Sequence, residues 1–369
     1  MDFAINFRRL SGNIALLVLS IIFGIFICEG LARIFSPIQL ANFPQLTNGD
    51  FVYVPNQRER HATLEWDIEI RINADGFREE TTLAELPDNS VVFVGDSFIE
   101  GYGVALHDTA AKKLQRIQFE RGQTGIVFNA GHNNTSPNNY YQVWRRYFSK
   151  RSQIKTVIIG FFVGNDLIPL VDDGRLRSGR LSTFESNTFR DRVRLFLNQH
   201  SKLYLLLNYS IKSSRTLHNT CRSIGMCGAP YPDDIYLKNL VDPQLSPTIE
   251  RVASFANEVK AAGQRPLVVI IPTKDQVSDS GWRWIQDYYA QLKPERFLTN
   301  DSVTKGLRER CVEVLDLTGP MVTHTRSDGE PLYFRTDGHW APFGHEFAAR
   351  LIDKTLQTPP IPCAEQKIQ

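Results

Sequence analysis

The sequence predicts an α/β fold: a doubly wound, flavodoxin-like parallel sheet of about five strands with helices on both faces, one N-terminal transmembrane helix and a mainly helical insertion. Three observations predict it. Apolar runs at 91–94, 126–129, 156–162, 266–271 and 311–316 are continuous rather than alternating, as in parallel strands buried on both faces. Helical patterns separate them: about 106–121 closed by Gly122, 138–149 after Pro137, and 247–262 with Ser246 as cap, Pro247 in the first turn and Gly263 at the end. An uncharged stretch from Ile14 to Cys28 stands near the N-terminus, and counting back to Leu10 brings it close to the roughly 20 residues that cross a bilayer as a helix.

The segments follow in chain order. Residues 1–12 are expected in the cytoplasm and 13–34 in the membrane, because Arg8 and Arg9 precede the apolar run and Glu29 comes first after it. A cleaved signal peptide is the competing reading, but no small-x-small cleavage site follows. Residues 35–88, with Pro37, Pro44 and Pro55, read as a spacer leading into a catalytic domain over 89–358. An insertion at about 170–245 breaks the strand and helix rhythm. It contains Asp172-Asp173-Gly174, a basic amphipathic run from Phe189 to Leu217, and a Gly/Pro/Cys-rich stretch to Pro232. It reads as a cap over the site, as further packing on the core, or as a face held against anionic lipid through Arg190, Arg192, Arg194 and Lys202. The tail, 359–369, is Pro-rich and extended.

Composition narrows the function classes. With 369 residues, 42% of them hydrophobic, the chain can bury one sizeable core. A formal net charge of +2 makes no case for nucleic acid as a partner. Cys28 lies in the apolar run, which leaves Cys221, Cys227, Cys311 and Cys363 for an oxidising compartment. Four cysteines allow three pairings; Cys221 with Cys227 and Cys311 with Cys363 is the favoured one, with free thiols as the alternative. Neither cysteines nor histidines have metal-ligand spacing, so no metal and no cofactor is expected.

The chemistry is concentrated at strand ends. Gly95-Asp96-Ser97-Phe98 follows Val91-Val92-Phe93-Val94, and Asp337-Gly338-His339-Trp340 answers it far downstream. A serine on a tight turn with a distant Asp/His pair is what an acyl-transferring enzyme needs for nucleophile, base and orienting carboxylate. Asn129-Ala130-Gly131-His132-Asn133 and Gly164-Asn165-Asp166 each put a Gly or Asn just past a strand, where an N–H can meet a developing oxyanion. Asp96 is expected to brace the turn through backbone hydrogen bonds. Trp340 either stacks on a sugar or supports the histidine loop, and Lys274 with Asp275 either contacts substrate or forms a solvated pair. His345 is expected inside the closing helix.

These four blocks, in this order, resemble the SGNH (GDSL-type) hydrolase family over roughly residues 68–356. The resemblance implies Ser97 as nucleophile, His339 as base and Asp337 as its orienter. It implies an oxyanion hole from the Ser97 N–H, Gly131 and Asn165. Asn73-Ala74-Asp75-Gly76-Phe77-Arg78, and Asp337-x-His339-Trp340 followed by Gly344-His345, are most similar to a membrane-anchored branch associated with bacterial polysaccharide O-acetyl esterases and acyltransferases. The wider family has two residues between Asp and His; here Gly338 alone intervenes, as in related polysaccharide O-acetylation proteins. The expectation is a serine esterase of the bacterial inner membrane, its catalytic domain periplasmic. It would act on acyl groups, acetyl above all, of a cell-envelope or exported polysaccharide. An O-acyltransferase using the same residues, a membrane-fed lipase or thioesterase, and a non-catalytic carbohydrate-binding assembly protein are the alternatives. Partners in polysaccharide assembly are left open.

Overall fold

The computed structural model describes residues 2–40, 44, 46–47, 51–167, 189–224, 227, 235–327, 329–360 and 363. Helix α1 covers Asp2–Phe35, and the short strands β1 (Arg58–Ala62) and β2 (Asp67–Arg71) follow it. The main sheet comprises β3 (Ser90–Gly95), β4 (Val127–Gly131), β5 (Ile154–Phe162), β6 (Arg265–Ile271) and β7 (Val314–Asp316). Helices α2 (Ser97–Glu100), α3 (Ala110–Glu120) and α4 (Pro137–Tyr147) fall among its first strands, and α5 (Phe189–His200), α6 (Lys202–Ser213) and α7 (Arg215–Ser223) come after β5. Helix α8 (Lys238–Ala261) leads into β6, while α9 (Lys274–Val277), α10 (Asp279–Tyr288) and α11 (Leu298–Glu309) lead to β7. Helices α12 (Thr318–Arg326) and α13 (Pro342–Leu356) close the chain.

Backbone proximity divides the protein into two compact units: Met1–Asn42 with Ala62–Leu64 and Ser186–Cys227, and Phe43–His61 with Glu65–Glu185 and Gly228–Gln369. The second unit holds the sheet, in the order β4-β3-β5-β6-β7 with every pairing parallel. This is the flavodoxin-like order, in which the first strand is flanked by the next two and a crevice opens past the carboxyl ends where the order reverses. All six residues of β3 are buried. Val92 and Val94 point into a core with Phe128, Trp144 and Phe255, while Val91 and Phe93 point into another with Leu114, Met321 and Ala349. Each such fully buried side chain contributes about 1.5–3 kcal/mol, so the strands are held from both faces.

Two elements differ from expectation. Helix α8 begins at Lys238 and carries Pro243 and Pro247 inside it instead of starting at Ser246. Both prolines are exposed, so the carbonyls that lose a helical partner face water, which lowers the cost. Strand β7 is shorter at its start because Cys311 adopts φ 63° in a turn after α11.

The first unit contains α1 and the helices α5–α7. Asn13–Phe35 is a 23-residue stretch of mean hydropathy 2.6, long and apolar enough to cross a bilayer. Residues 170–188, including Asp172-Asp173-Gly174, 225–226 and 228–234 of the expected insertion lie outside the described residues. Cys221 pairs with Cys227 at a Cα separation of 5.4 Å and Cys311 with Cys363 at 4.8 Å, both within disulfide range. Cys28 is free and exposed.

A close contact under α2 generates a test. A Cβ on Gly131 would come 2.3 Å from the Glu100 N and 2.7 Å from the Ile99 carbonyl carbon. Gly131→Ala is therefore expected to destabilise the protein by about 1–3 kcal/mol, read as a lower thermal midpoint. Gly319→Ala, in α12 with nothing within 4 Å of the added atom, is the matched control and should melt with the wild type.

Candidate active site

The turn after β3 is built from bare backbone and two caps. Asp96 is the N-cap of α2, its Oδ1 accepting the Phe98 N–H at 2.9 Å, and Gly101 ends the helix at φ 87°. Ser97 is the first helical residue, so its N–H has no acceptor within the helix. Beneath the other end lies Arg78, 1% exposed, whose guanidinium donates to the carbonyls of Glu100 (3.0 Å), Gly101 (2.7 Å) and Val104 (2.6 Å). The buried Glu100 carboxyl accepts from the Tyr53 hydroxyl at 2.9 Å, and that hydroxyl accepts from the Asn133 N–H at 3.0 Å. Burial pushes Glu100 up to about 7, against the opposing charge of Arg78.

The residues around Asp337 form a closed loop, in which the Ala341 N–H donates to the Leu332 carbonyl (2.9 Å) and the Phe334 N–H to the His339 carbonyl (3.1 Å). Asp337 Oδ1 accepts the His339 backbone N–H at 2.8 Å and lies 2.6 Å from His339 Nδ1. The single intervening residue lets one oxygen hold both backbone and ring. With the Nδ1–H donated to the carboxylate, the Nε2 lone pair faces the Ser97 hydroxyl, 2.7 Å away. The rings of Tyr102 and Phe98 lie 4.5 and 4.9 Å from the imidazole.

Glu65 had no signal in the sequence. Its carboxylate accepts the N–H groups of Thr336 (3.1 Å) and Asp337 (3.2 Å) and the Thr336 hydroxyl, fixing the start of the loop. Beside it Trp66 packs on Phe334 at 4.6 Å and on Tyr102 at 5.6 Å. The stretch expected to be a spacer thus supplies part of the site. The one hint was Asn73–Arg78, whose Arg78 turns out to hold α2.

Asn165 lies past β5, its Nδ2 donating to Asp96 Oδ2 at 3.2 Å. The second Nδ2 proton is left for another acceptor, and Oδ1 is buried without a partner among the described residues. Burial raises Asp96, and Asp166, which accepts the Tyr140 hydroxyl at 2.9 Å, is raised well above the carboxylate range by burial and by the charge of Asp96.

Two expected roles, those of Gly131 and Lys274, are corrected, and Trp340 is decided between its two readings. The Gly131 N–H is bonded to Asn129 Oδ1 at 3.0 Å, so it is engaged inside the fold and is not turned to an oxyanion; the glycine is needed for the approach of α2. Trp340 is 1% exposed and packs edge-on against Phe98 and His345, leaving no face for a sugar. Lys274 Nζ donates to the Phe334 and Arg335 carbonyls, bracing the histidine loop rather than waiting for substrate. His345 sits in α13, where its Nδ1 accepts the Ala110 N–H at 3.2 Å.

Glu100 gives the site a pH signature. Its folded value of about 7 exceeds the ordinary 4.5, so between those values the folded state binds more protons than the unfolded state. Stability from this group is present below about 4.5 and lost as the pH rises through about 7. Glu100→Gln removes that slope: the wild-type minus variant difference in unfolding free energy should fall steadily from pH 4.5 to pH 7 in denaturant titrations. A pH-independent difference would show that folding does not raise this carboxyl above its unfolded value.

Residues 231–368 match the family model described as SGNH hydrolase-like domain, acetyltransferase AlgX. No curated protein sequence matches the chain. Among solved structures, a lipase/acylhydrolase from Enterococcus faecalis is similar at 14% identity and a TM-score of 0.40, over 74% of this chain and 99% of that one. An acetylxylan esterase from Geobacillus stearothermophilus is similar at 11% identity and a TM-score of 0.41, over 75% and 97%. The esterase EstA from Pseudoalteromonas is similar at 11% identity and a TM-score of 0.36, over 73% and 97%. Asp337 and His339 fall inside the matched residues and Ser97 before them.

Proposed function

We propose that this protein is a membrane-anchored, extracytoplasmic serine enzyme that removes or transfers ester-linked acyl groups, acetyl above all, on a cell-envelope or exported polysaccharide. The observation that carries the reading is the relay in which Ser97 Oγ lies 2.7 Å from His339 Nε2, and His339 Nδ1 lies 2.6 Å from Asp337 Oδ1. The substrate class is supported by the acetyltransferase named in the family match and the acetylxylan esterase among similar structures. Anchoring is supported by Asn13–Phe35, and the preceding Arg8 and Arg9 favour a cytoplasmic N-terminus in the bacterial inner membrane.

The steps follow from the atoms. Ser97 Oγ attacks the ester carbonyl as its proton passes to Nε2, and Asp337 stabilises the imidazolium. The Ser97 N–H and the remaining Asn165 Nδ2 proton are the donors for the oxyanion, each such donor being worth about 3 kcal/mol in the transition state. Collapse breaks the bond to the sugar oxygen, which leaves with the proton from Nε2, and Ser97 keeps the acyl group. Water then completes hydrolysis, or a sugar hydroxyl completes transfer, by the reverse sequence.

In the detergent-solubilised full chain, Ser97→Ala and His339→Ala should each lower kcat/KM for p-nitrophenyl acetate by roughly 10³-fold or more. A fluorophosphonate probe should label wild type and not Ser97→Ala. Folded wild type that neither labels nor turns over would sink the reading and favour a non-catalytic carbohydrate-binding role. Adding acetylated and unacetylated oligosaccharides separates hydrolysis from transfer. Glu65→Gln, which weakens the hold on Thr336 and Asp337, should lower kcat by about 10- to 100-fold with KM little changed.

A further inference from the structure

Helices α5, α6 and α7 have 12, 12 and 9 residues, and no described side chain between 189 and 224 is buried. Helices this short are marginal in water, and in proteins their stability comes from burying an amphipathic face. These helices instead expose large apolar groups: Phe189 (83%), Phe196 (59%), Leu207 (54%), Leu217 (48%) and Ile224 (64%). They also concentrate charge. Residues 189–224 carry seven Lys and Arg against a single acidic residue, Asp191, although the whole chain has a net charge of only +2.

Their position is fixed by α1. Glu29 is the first charged residue after the apolar run, so it marks the level at which α1 leaves hydrocarbon. Its carboxylate accepts the Ser201 hydroxyl (2.8 Å) and the N–H groups of Lys202 (3.2 Å) and Leu203 (3.1 Å), joining Ser201 in capping α6. Arg33 Nη2 donates to the His200 carbonyl at 2.7 Å, and Lys202 Nζ to the Ser36 carbonyl at 3.1 Å. The corner between α5 and α6 is thus bonded to residues 29–36 of the helix at its point of exit.

We infer that α5–α7 form a collar lying in the surface of an anionic bilayer, apolar side chains below and basic side chains at headgroup level. The inference rests on α1 spanning the membrane. Continuity with that helix supplies the location, and the charge excess supplies the lipid class, since a basic side chain near an anionic leaflet gains about 1 kcal/mol. The bilayer provides the buried face that the protein does not.

The test uses the full chain with Cys28→Ser, reconstituted in vesicles of phosphatidylcholine with about 30% phosphatidylglycerol. A nitroxide is placed at Phe196→Cys or Leu217→Cys, with Lys293→Cys, in the sheet-bearing unit, as the aqueous control. The expected result is an oxygen-to-nickel-chelate collision ratio at least about threefold above that control, falling when Arg192, Arg194 and Lys212 are all changed to Gln. Labels as open to nickel as the control, while the protein floats with the vesicles, would overturn the collar alone. Labels shielded from both oxygen and nickel would also overturn it, the helices then being packed on protein. Protein that separates from vesicles on carbonate washing would overturn the membrane-spanning reading and the collar with it.

Discussion

Ser97, the proposed nucleophile, stands on a helix of four residues, which has no stability of its own. It is held from outside, by Asp96 at one end and by the buried Arg78 guanidinium at the other, the latter gathering the carbonyls of Glu100, Gly101 and Val104. Glycines at 95 and 131 remove the atoms that would keep this helix off the sheet. The placement of Ser97 is therefore a property of the surrounding backbone, and every other part of the site is arranged around a fixed hydroxyl.

The carboxylates are ordered by environment. Asp337 and Glu65 are half-buried and act on N–H groups of one loop, whereas Asp96, Glu100 and Asp166 are enclosed and raised. Asp96 serves two clients, the Phe98 N–H and the Asn165 amide, so the same residue that caps the nucleophile's helix also sets the angle of the oxyanion donor.

The sheet was legible because its strands are buried on both faces and read as continuous apolar runs, and their parallel direction followed from the alternation with helices. Ser97, Asp337 and His339 were legible because each lies in a compact motif at a strand end or in a short loop. Gly131 misled because a glycine after a strand signals close approach as readily as an open N–H, and here the approach is that of α2. Trp340 left two readings open because an aromatic beside a histidine suits stacking on a sugar and supporting the loop alike, and its burial against Phe98 and His345 selects support. Glu65 and Tyr53 were invisible: their partners lie 271 and 47 residues away, and nothing local marks a residue whose role is set by tertiary contact.

The stretch ahead of the sheet has a consequence for where the catalytic unit begins. Tyr53, Glu65 and Arg78 all reach the site from before β3, the first to Glu100, the second to the Asp337 loop and the third to the end of α2. A chain cut at the start of the sheet would keep Ser97, His339 and Asp337 and lose what aligns them. The fold around Ser97 and His339 begins no later than Tyr53, and the expected spacer is a structural wall of the candidate site.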